Sequence, residues 1–366
     1  MVKQESPHPK SLFTGRGATT SPPNRFESVH SQIDYEQLAA DDELLADERK
    51  VKTAFLPDHS KTLIRENESP DVPFRYSINP YRGCEHGCVY CYARPTHETL
   101  GMNAGLDFES KILVKHDAVE LLRKELNHPK WQPESITLSG VTDCYQPAER
   151  KFKLTRGILE VMLEARQPVT LITKNSLLLR DLDILAPLAQ RNLFAAAISI
   201  TTLDADLART MEPRTATPQA KLRAIRELSS AGVPVRAMIA PLIPGLTDHE
   251  LPQIMEAVAE AGATGAGYVM LRLPLAVSPM FLDWLRTHRP LQAEKVEGLI
   301  RGVRGGKLYV TNWGERMRGE GPYADGVKAS FDLFAKKFGL DKPWTPLDCS
   351  QFKPPRLPGG QMRLFT

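Results

Sequence analysis

Three cysteines lie close together in the sequence, and this group constrains the chain more than any other feature. Cys84, Cys88 and Cys91 have the spacing C-x3-C-x2-C in a glycine-containing segment. With Cys144 and Cys349 the 366-residue chain has 5 cysteines, an odd number that is a poor disulfide framework for a chain of this length. The clustering favours a metal or iron–sulfur site in a reducing compartment.

The spacing leaves three interpretations open. Three thiolates can bind three irons of a [4Fe–4S] cluster and leave the fourth iron without a protein ligand. A structural zinc site would need a fourth ligand from His86, His97 or Cys144, and the chain has no second C-x2-C pair for it. Ordinary buried cysteines are the third interpretation, but packing alone does not account for three on one loop.

The composition places the chain in an ordinary class of globular proteins. Hydrophobic residues make up 42% and charged residues 25%, and the formal net charge of +3 gives no strong whole-chain attraction to polyanions. The sequence shows neither a secretory signal nor a run of about 18 apolar residues. It therefore predicts a cytoplasmic location without a membrane span, and gives no indication of the oligomeric state.

The pattern divides the chain into three parts. Residues 1–70, with several prolines and an acidic run over 41–48, are predicted to be a low-order N-terminal extension; the alternative is an arm that folds over the active site or a partner. Residues 71–312 are predicted to form the core barrel. Residues 313–366 are predicted to form a C-terminal helix and a proline-rich basic tail, with nucleic-acid contact by the tail as an alternative.

Six short apolar runs alternate with helix-period segments in the core. Their continuous apolar character is typical of parallel strands covered on both faces. Six βα units are too few for a closed eight-stranded barrel, so we predict an α/β fold with a partial (β/α)6 TIM-like barrel. A doubly wound sheet stays open as an alternative, and 307–311 is a candidate edge strand. The six strand candidates are residues 74–78, 135–139, 169–173, 196–200, 233–239 and 268–271.

Three helices carry clear sequence signals. Apolar residues recur on one face over 154–165. A second helix is predicted to have Thr217 as its N-cap and Pro218 at its first position. A third is predicted to begin with a capping box at Thr247 and to end at Gly262.

The cysteine motif, with Tyr90 before the last cysteine, resembles the signature of the radical S-adenosylmethionine (SAM) superfamily. The wider sequence is similar to its spore photoproduct lyase-like branch, often described as DNA-repair-photolyase-like. This resemblance extends over about residues 75–330 and implies a partial (β/α)6 barrel. The runs that carry it are 79–84, 91–94, 139–143, 145–147 and 211–218.

The resemblance also implies an activity. The expected cofactors are a [4Fe–4S] cluster on the three cysteines and SAM, whose reductive cleavage gives a 5′-deoxyadenosyl radical that abstracts hydrogen from a substrate. A reductant such as flavodoxin or ferredoxin is the expected partner. The favoured substrate is a nucleic-acid lesion, in a lyase-type reaction. Alternatives are a radical enzyme acting on a peptide, tRNA or small metabolite, and a zinc-stabilised nucleic-acid-binding module without catalysis.

Candidate cofactor-binding residues follow the strands, because ligands of parallel α/β sheets bind at the carboxyl ends of the strands. The chain lacks the Gly-Gly-Glu motif by which the superfamily usually binds the SAM amino group, and has Thr142 and Asp143 at that place. Lys174 is a candidate partner of the SAM carboxylate, with a solvated loop lysine as the alternative. The predicted cofactor-binding set is Tyr90, Gly140, Thr142, Asp143, Thr173, Lys174, Ser199 and Arg214.

Further candidates are a hydrogen donor and a basic group near the mouth of the barrel. Spore photoproduct lyase uses a thiol to return a hydrogen atom, so Cys144 is a candidate for that role; the alternative is a small buried side chain. Val141 lies nearer the corresponding place. Arg214 has an ion pair with Glu212 as its alternative role. The basic residues predicted near the mouth are Arg82, Arg94, Arg272, Arg316 and Arg318.

Overall fold

A computed structural model describes residues 15–18, 20–26 and 51–357. Pro7, Pro9, the acidic run over 41–48 and the basic residue Arg363 lie outside these ranges, whereas Pro22 and Pro23 lie inside them. The strands are β1 (Ala54–Pro57), β2 (Ile64–Glu66), β3 (Tyr76–Ile78), β4 (Tyr81–Arg82), β5 (Lys111–Val114), β6 (Ile136–Leu138), β7 (Val169–Thr173), β8 (Phe194–Ser199), β9 (Val235–Leu242) and β10 (Gly265–Met270).

The helices lie between the strands and after the last one. Short 3-10 turns at Arg94–Leu100, Ser176–Asp181, Asp248–Glu250 and Cys349–Gln351 complete the regular structure of the described residues. The helices are α1 (Leu106–Ser110), α2 (Ala118–Leu126), α3 (Glu149–Phe152), α4 (Leu154–Ala165), α5 (Leu182–Gln190), α6 (Ala205–Met211), α7 (Pro218–Ser230), α8 (Leu251–Glu260), α9 (Val277–His288), α10 (Ala293–Gly302), α11 (Glu315–Arg318) and α12 (Pro322–Lys337).

The main sheet has the strand order β10-β9-β8-β7-β6-β3-β2. Six strands of this sheet follow one another in chain order, and each is parallel to its neighbour: β3, β6, β7, β8, β9 and β10. Strand β2 pairs antiparallel with β3 at the edge. A doubly wound sheet would reverse its strand order at a switch point, and this sheet does not. Residues beside β3 and in β10 line one cavity, so the sheet curves into a partial barrel, as predicted.

The strands bury their outward side chains under the helices. In β7, Val169 and Leu171 are fully buried in the core, whereas the alternating residues Thr170 and Ile172 are half-buried and line the cavity. Strand β9 alternates in the same way. The expectation of strands covered on both faces is therefore wrong for these two strands, because their inner face borders a cavity.

Several small side chains line part of the inside of the barrel. Thr137, Thr170, Ala197 and Gly267 all face the cavity, and the hydroxyls of Thr137 and Thr170 are hydrogen-bonded at 2.7 Å. Closed barrels of the TIM type usually fill this space with bulky branched side chains. Here the space stays open, as a cavity of about 990 Å³.

A second sheet, with the order β1-β5-β4, lies next to the segment that carries the cysteine motif. Strand β4 ends at Arg82, two residues before Cys84. Both β1 and β2 belong to the part of the chain that was predicted to be a low-order extension. Regular structure therefore begins before the predicted boundary at residue 70, because the short strands β1 and β2 gave no clear periodic signal.

The helix signals had different outcomes. Helix α7 begins at Pro218, and the Thr217 hydroxyl accepts the Ala220 amide at 3.3 Å, as predicted. The prediction of a capping box at Thr247 is wrong, because the Thr247 hydroxyl accepts a hydrogen bond from the Ile243 amide at 2.9 Å. A 3-10 turn over Asp248–Glu250 precedes α8. Gly262 follows α8 with φ +95°, as expected for a residue that ends a helix. The prediction of an edge strand over 307–311 is also wrong, because this segment has no regular secondary structure.

The segment after α12 crosses the barrel at the end where the strands begin. Arg236 Nη1 donates to the Lys342 carbonyl at 2.7 Å, and its guanidinium lies over the Trp344 ring. The Lys353 amide donates to the Ala165 carbonyl at 2.9 Å. This segment therefore forms the floor of the cavity. None of the helices within the described ranges is long and apolar enough to span a bilayer.

Candidate active site in the barrel cavity

The three motif cysteines line the barrel cavity from the loop that follows β4. We call residues 84–91 the cluster loop. Burial raises the pKa of the Cys84 thiol, and the Asp143 carboxylate and the other two motif cysteines add to that rise. All three cysteines are free of disulfides. The three side chains that the sequence predicts as cluster ligands thus border the same cavity.

The donor set of the cluster loop suits an iron–sulfur cluster. Thiolates are the usual ligands of such clusters, and a [4Fe–4S] cluster takes one thiolate per iron. Within the described residues, no three or more His, Cys, Asp or Glu side chains are placed around a single ion. A cluster does not need that arrangement, since its ligands bind separate irons.

A buried arginine holds the backbone of the cluster loop by hydrogen bonds. Arg94 donates from Nε and Nη2 to the Cys88 carbonyl at 3.0 and 2.9 Å, and its Nη2 lies 2.5 Å from a Glu109 carboxylate oxygen. Arg94 and Glu109 are completely buried. The prediction of Arg94 at the mouth of the barrel is therefore wrong, because this cation holds the backbone of the loop.

The loop over 211–217 holds the other side of the cluster loop. The Val89 amide donates to the Met211 carbonyl at 3.0 Å, and the Tyr90 hydroxyl donates to the Glu212 carboxylate. Lys221 Nζ lies 2.5 Å from the other Glu212 oxygen. Burial alone would raise the pKa of Glu212, but Lys221 and Lys174 outweigh it and lower that pKa to about 2.

Asp143 joins the ends of β6 and β7. Its carboxylate accepts hydrogen bonds from the Thr173 hydroxyl and the Lys174 amide, both at 2.7 Å, and from the Tyr145 amide at 2.9 Å. His86 Nδ1 lies 3.4 Å from the same carboxylate. Asp143 and Thr173 border the cavity as predicted, but their side-chain oxygens already bind the protein.

Thr142 and Gly140 have structural contacts at the same edge. The Thr142 hydroxyl donates to the Tyr81 carbonyl at 2.7 Å. Gly140 packs so closely on Ser77 that an added Cβ would lie 3.0 Å from the Ser77 Cβ. Its carbonyl accepts a hydrogen bond from the Tyr92 hydroxyl at 2.8 Å.

Lys174 and Ser199 are the predicted residues that offer polar atoms to the cavity. Lys174 Nζ donates to the Ala240 carbonyl at 2.7 Å and lies 3.8 Å from the Glu212 carboxylate. It also lies over the Tyr90 ring, at 5.6 Å from the centroid. Ser199 ends β8 and lines the cavity. The alternative of a solvated loop lysine is wrong for Lys174.

Arg214 and Cys144 lie outside the cavity lining. Arg214 Nε donates to the Gly15 carbonyl at 2.9 Å, and Nη1 lies 3.5 Å from a Glu85 oxygen, so its ionic partner is Glu85. The Cys144 side chain is buried in the hydrophobic core under the helices. Val141 lines the cavity instead, and 41% of it is exposed.

Two arginines that each lie over a tyrosine ring form part of the cavity wall. The Arg272 guanidinium lies 5.1 Å from the centroid of the Tyr92 ring, and Arg318 lies over Tyr268. Both arginines line the cavity, and neither has an ion pair within the described residues. The sequence prediction missed Tyr92, although its place directly after Cys91 was a usable signal.

The other arginines predicted near the mouth have carboxylate partners. Arg82 Nε lies 2.8 Å from an Asp58 oxygen, and Arg316 pairs with Asp71. Their charges are therefore balanced within the protein, and they do not line the cavity.

Comparisons with known proteins identify the family. The family model of the radical SAM superfamily matches residues 78–258. An uncharacterized protein of Mycobacterium tuberculosis is 40% identical over 232 residues, which cover 63% of this chain and 68% of that protein. The chain belongs to the radical SAM superfamily. An uncharacterized protein of Methanocaldococcus jannaschii is 32% identical to this radical SAM protein over 176 residues, which cover 48% of the chain and 63% of that protein.

Solved structures show the same fold. A spore photoproduct lyase mutant aligns with a TM-score of 0.52 over 86% of this radical SAM chain and 85% of that chain, at 15% identity. A spore photoproduct lyase complexed with dinucleoside spore photoproduct aligns with a TM-score of 0.51 over 78% and 79%, also at 15% identity. At this identity the likeness establishes the fold.

Proposed function

We propose that this radical SAM enzyme holds a [4Fe–4S] cluster on Cys84, Cys88 and Cys91 and uses SAM to act on a nucleic-acid lesion in a lyase-type reaction. The observation that carries the proposal is that all three thiols line one cavity, which is large and lies inside the barrel. When bound, the two cofactors supply a 5′-deoxyadenosyl radical that abstracts a hydrogen atom from the substrate.

The protein's own residues would bind and orient SAM. The Lys174 ammonium would bind the SAM carboxylate, and the Ser199 hydroxyl would bind a ribose oxygen. Tyr90, fixed by its hydrogen bond to Glu212, keeps a rigid wall beside Cys88. Asp143 would act indirectly, because its carboxylate orients Thr173 and the Lys174 backbone.

The proposed substrate class rests on charge and on the fold. Arg272 and Arg318 line the cavity without an ion pair within the described residues, and a guanidinium binds phosphate oxygens well. A protein of the same fold has been solved with a dinucleoside photoproduct. The net charge of +3 is too small for a broad electrostatic clamp, so recognition of a nucleic acid would depend on a few local contacts.

The reaction needs reducing conditions. Free thiols persist in reducing compartments, so the five free cysteines favour a cytoplasmic location. The electron would come from a protein such as flavodoxin or ferredoxin.

The cofactor proposal is tested by anaerobic reconstitution. We expect about four irons per chain and formation of 5′-deoxyadenosine after reduction with SAM present. The triple variant Cys84→Ala, Cys88→Ala, Cys91→Ala should lose both, and the control Cys349→Ala should keep both. One bound zinc without iron or SAM cleavage would contradict the proposal and favour a zinc-stabilised binding module.

The substrate proposal is tested by binding. The double variant Arg272→Gln, Arg318→Gln should bind a UV-damaged oligonucleotide at least about tenfold more weakly than the wild type, because two cations are lost from the cavity. Arg209→Gln changes an exposed arginine on α6 and is the matched control. Equal affinities for all three proteins would favour a peptide or small-metabolite substrate.

A further inference from the structure

The described segment 15–18 lies against the cluster loop, and the proposed function gives it no role. Arg16 is buried, and its Nη1 donates to the Glu109 carbonyl at 2.6 Å. Its Nη2 donates to the Val51 carbonyl at 2.8 Å and to the Thr53 hydroxyl at 3.0 Å. Three acceptors on two different segments thus fix one guanidinium. We call residues 15–18 the N-terminal strap.

One buried carboxylate connects the strap to the cluster loop. Glu109 accepts the Gly17 amide at 3.0 Å and the Ala18 amide at 2.8 Å. The same carboxylate pairs with Arg94, which holds the Cys88 carbonyl. A charged acceptor makes such hydrogen bonds stronger than those between neutral groups. The strap and the backbone of Cys88 are therefore fixed by a single charge network.

Gly17 lies directly on the cluster loop. A Cβ added to Gly17 would lie 1.7 Å from the carbonyl oxygen of Gly87 and 2.9 Å from its carbonyl carbon. Gly87 precedes Cys88, and it has φ +67° with its own space filled by the Glu109 carboxylate. The two atoms that the added Cβ would meet belong to the Gly87 backbone. They therefore cannot move away without shifting the cluster loop. Only glycine fits at position 17.

A second contact holds the outer edge of the strap. The Gly15 carbonyl accepts Arg214 Nε at 2.9 Å, and Arg214 also pairs with Glu85 inside the cluster loop. Thr53 donates to the same Glu85 carboxylate at 2.6 Å. The role of Arg214 thus differs from the predicted contact with SAM, because this side chain connects the strap to the loop.

We propose that the N-terminal strap is a positioning element that covers the outer face of the cluster loop and controls how firmly the cluster is retained. The proposal rests on the proposed function, since it assumes a cluster on the loop. Gly17, Arg16 and Glu109 are its positioning residues. The strap limits solvent access to the Gly87–Cys88 backbone and keeps the Cys88 thiol aimed into the cavity.

The test compares Gly17→Ala with Gly298→Ala, whose added Cβ meets open space on α10. After reconstitution, iron loss to a chelator should be about tenfold faster in Gly17→Ala, because buried contacts that hold the loop are lost. The cluster's reduction potential should also shift, since it depends on solvent exposure. Gly298→Ala should match the wild type in both. Iron loss from Gly17→Ala at the control rate would overturn the proposal.

A second measurement separates the strap from the cluster itself. In metal-free protein, alkylation of Cys88 by iodoacetamide should be about tenfold faster in Gly17→Ala and in Arg16→Ala than in the wild type, because the loop opens more often. Arg16→Lys keeps the charge and should fall between. If the wild type binds no iron but the alkylation rates differ as stated, the proposed function fails, and the strap still holds the loop but has no cluster to retain. Equal alkylation rates would show that the strap does not hold the loop.

Discussion

The Tyr90 hydroxyl donates a hydrogen bond to the Glu212 carboxylate, and this contact joins the cluster loop to the loop over 211–217. Both residues are buried, and Glu212 also binds the buried Lys221 ammonium. A carboxylate between two lysines thus fixes the aromatic residue of the cysteine motif.

The variant Glu212→Gln should lower the free energy of unfolding by about 3 kcal/mol, because it leaves Lys221 buried without its counter-charge. Urea unfolding at pH 7 measures this loss. Glu256→Gln, an exposed position on α8, is the control and should be within about 0.5 kcal/mol of the wild type. Equal losses for the two variants would contradict a stabilising role for the network.

The stability of the wild type should fall in acid through Glu212. Its pKa is lowered from 4.5 to about 2 by Lys221 and Lys174 against the opposing effect of burial. The folded protein therefore binds this proton less readily than the unfolded chain. The contribution of the ionised Glu212 to the free energy of unfolding is complete above about pH 4.5 and is lost as the pH falls towards 2. Urea unfolding between pH 6 and pH 3 should show a smaller decrease for Glu212→Gln, and identical slopes would disprove this assignment.

The variant Lys174→Met should bind SAM at least about tenfold more weakly, because it removes the ammonium from the cavity. It should keep its iron, since Lys174 does not hold the cluster loop backbone. Calorimetric titration of reconstituted protein with SAM measures the affinity, and Lys295→Met on α10 is an exposed control. Unchanged affinity would show that the SAM carboxylate binds elsewhere.

The variant Cys144→Ala should form product as the wild type does and lose about 1 kcal/mol of stability, because its thiol packs in the core. Product analysis with labelled substrate and thermal unfolding measure the two effects. Loss of product with unchanged 5′-deoxyadenosine formation would instead support Cys144 as the hydrogen donor.

Deletion of residues 343–366 should lower the melting temperature, because it removes the floor of the barrel and the contacts of Trp344 and Lys353 with the barrel. The double variant Lys353→Ala, Arg356→Ala removes only exposed charge and should melt with the wild type. If this double variant weakens oligonucleotide binding at full stability, the tail contacts nucleic acid directly.

The features that the sequence predicted best are those that depend on residues close together in the chain. The motif cysteines are neighbours along the chain, and the core strands from β6 to β10 have apolar runs, so both could be recognised without distant partners. Lys174 was predictable because it directly follows β7. Arg214 was not, since its partner Gly15 lies 199 positions earlier.

Small backbone differences limited the prediction of the hydrogen donor. Cys144 and Val141 follow β6 in one tight turn that begins with Ser139 at φ 72°. The turn directs Val141 to the cavity and Cys144 to the core. Such a turn has no periodic pattern that would reveal which side chain faces inward.

The small residues inside the barrel have a consequence for how enzymes of this type diversify. Because Thr170 and Ala197 line the cavity and are not part of the main hydrophobic core, we expect them to change with little loss of stability. We therefore expect substrate preference and folding to depend on largely separate sets of positions. A descendant of this chain could acquire a new substrate through inner-face substitutions while the helices and the cluster loop stay as they are.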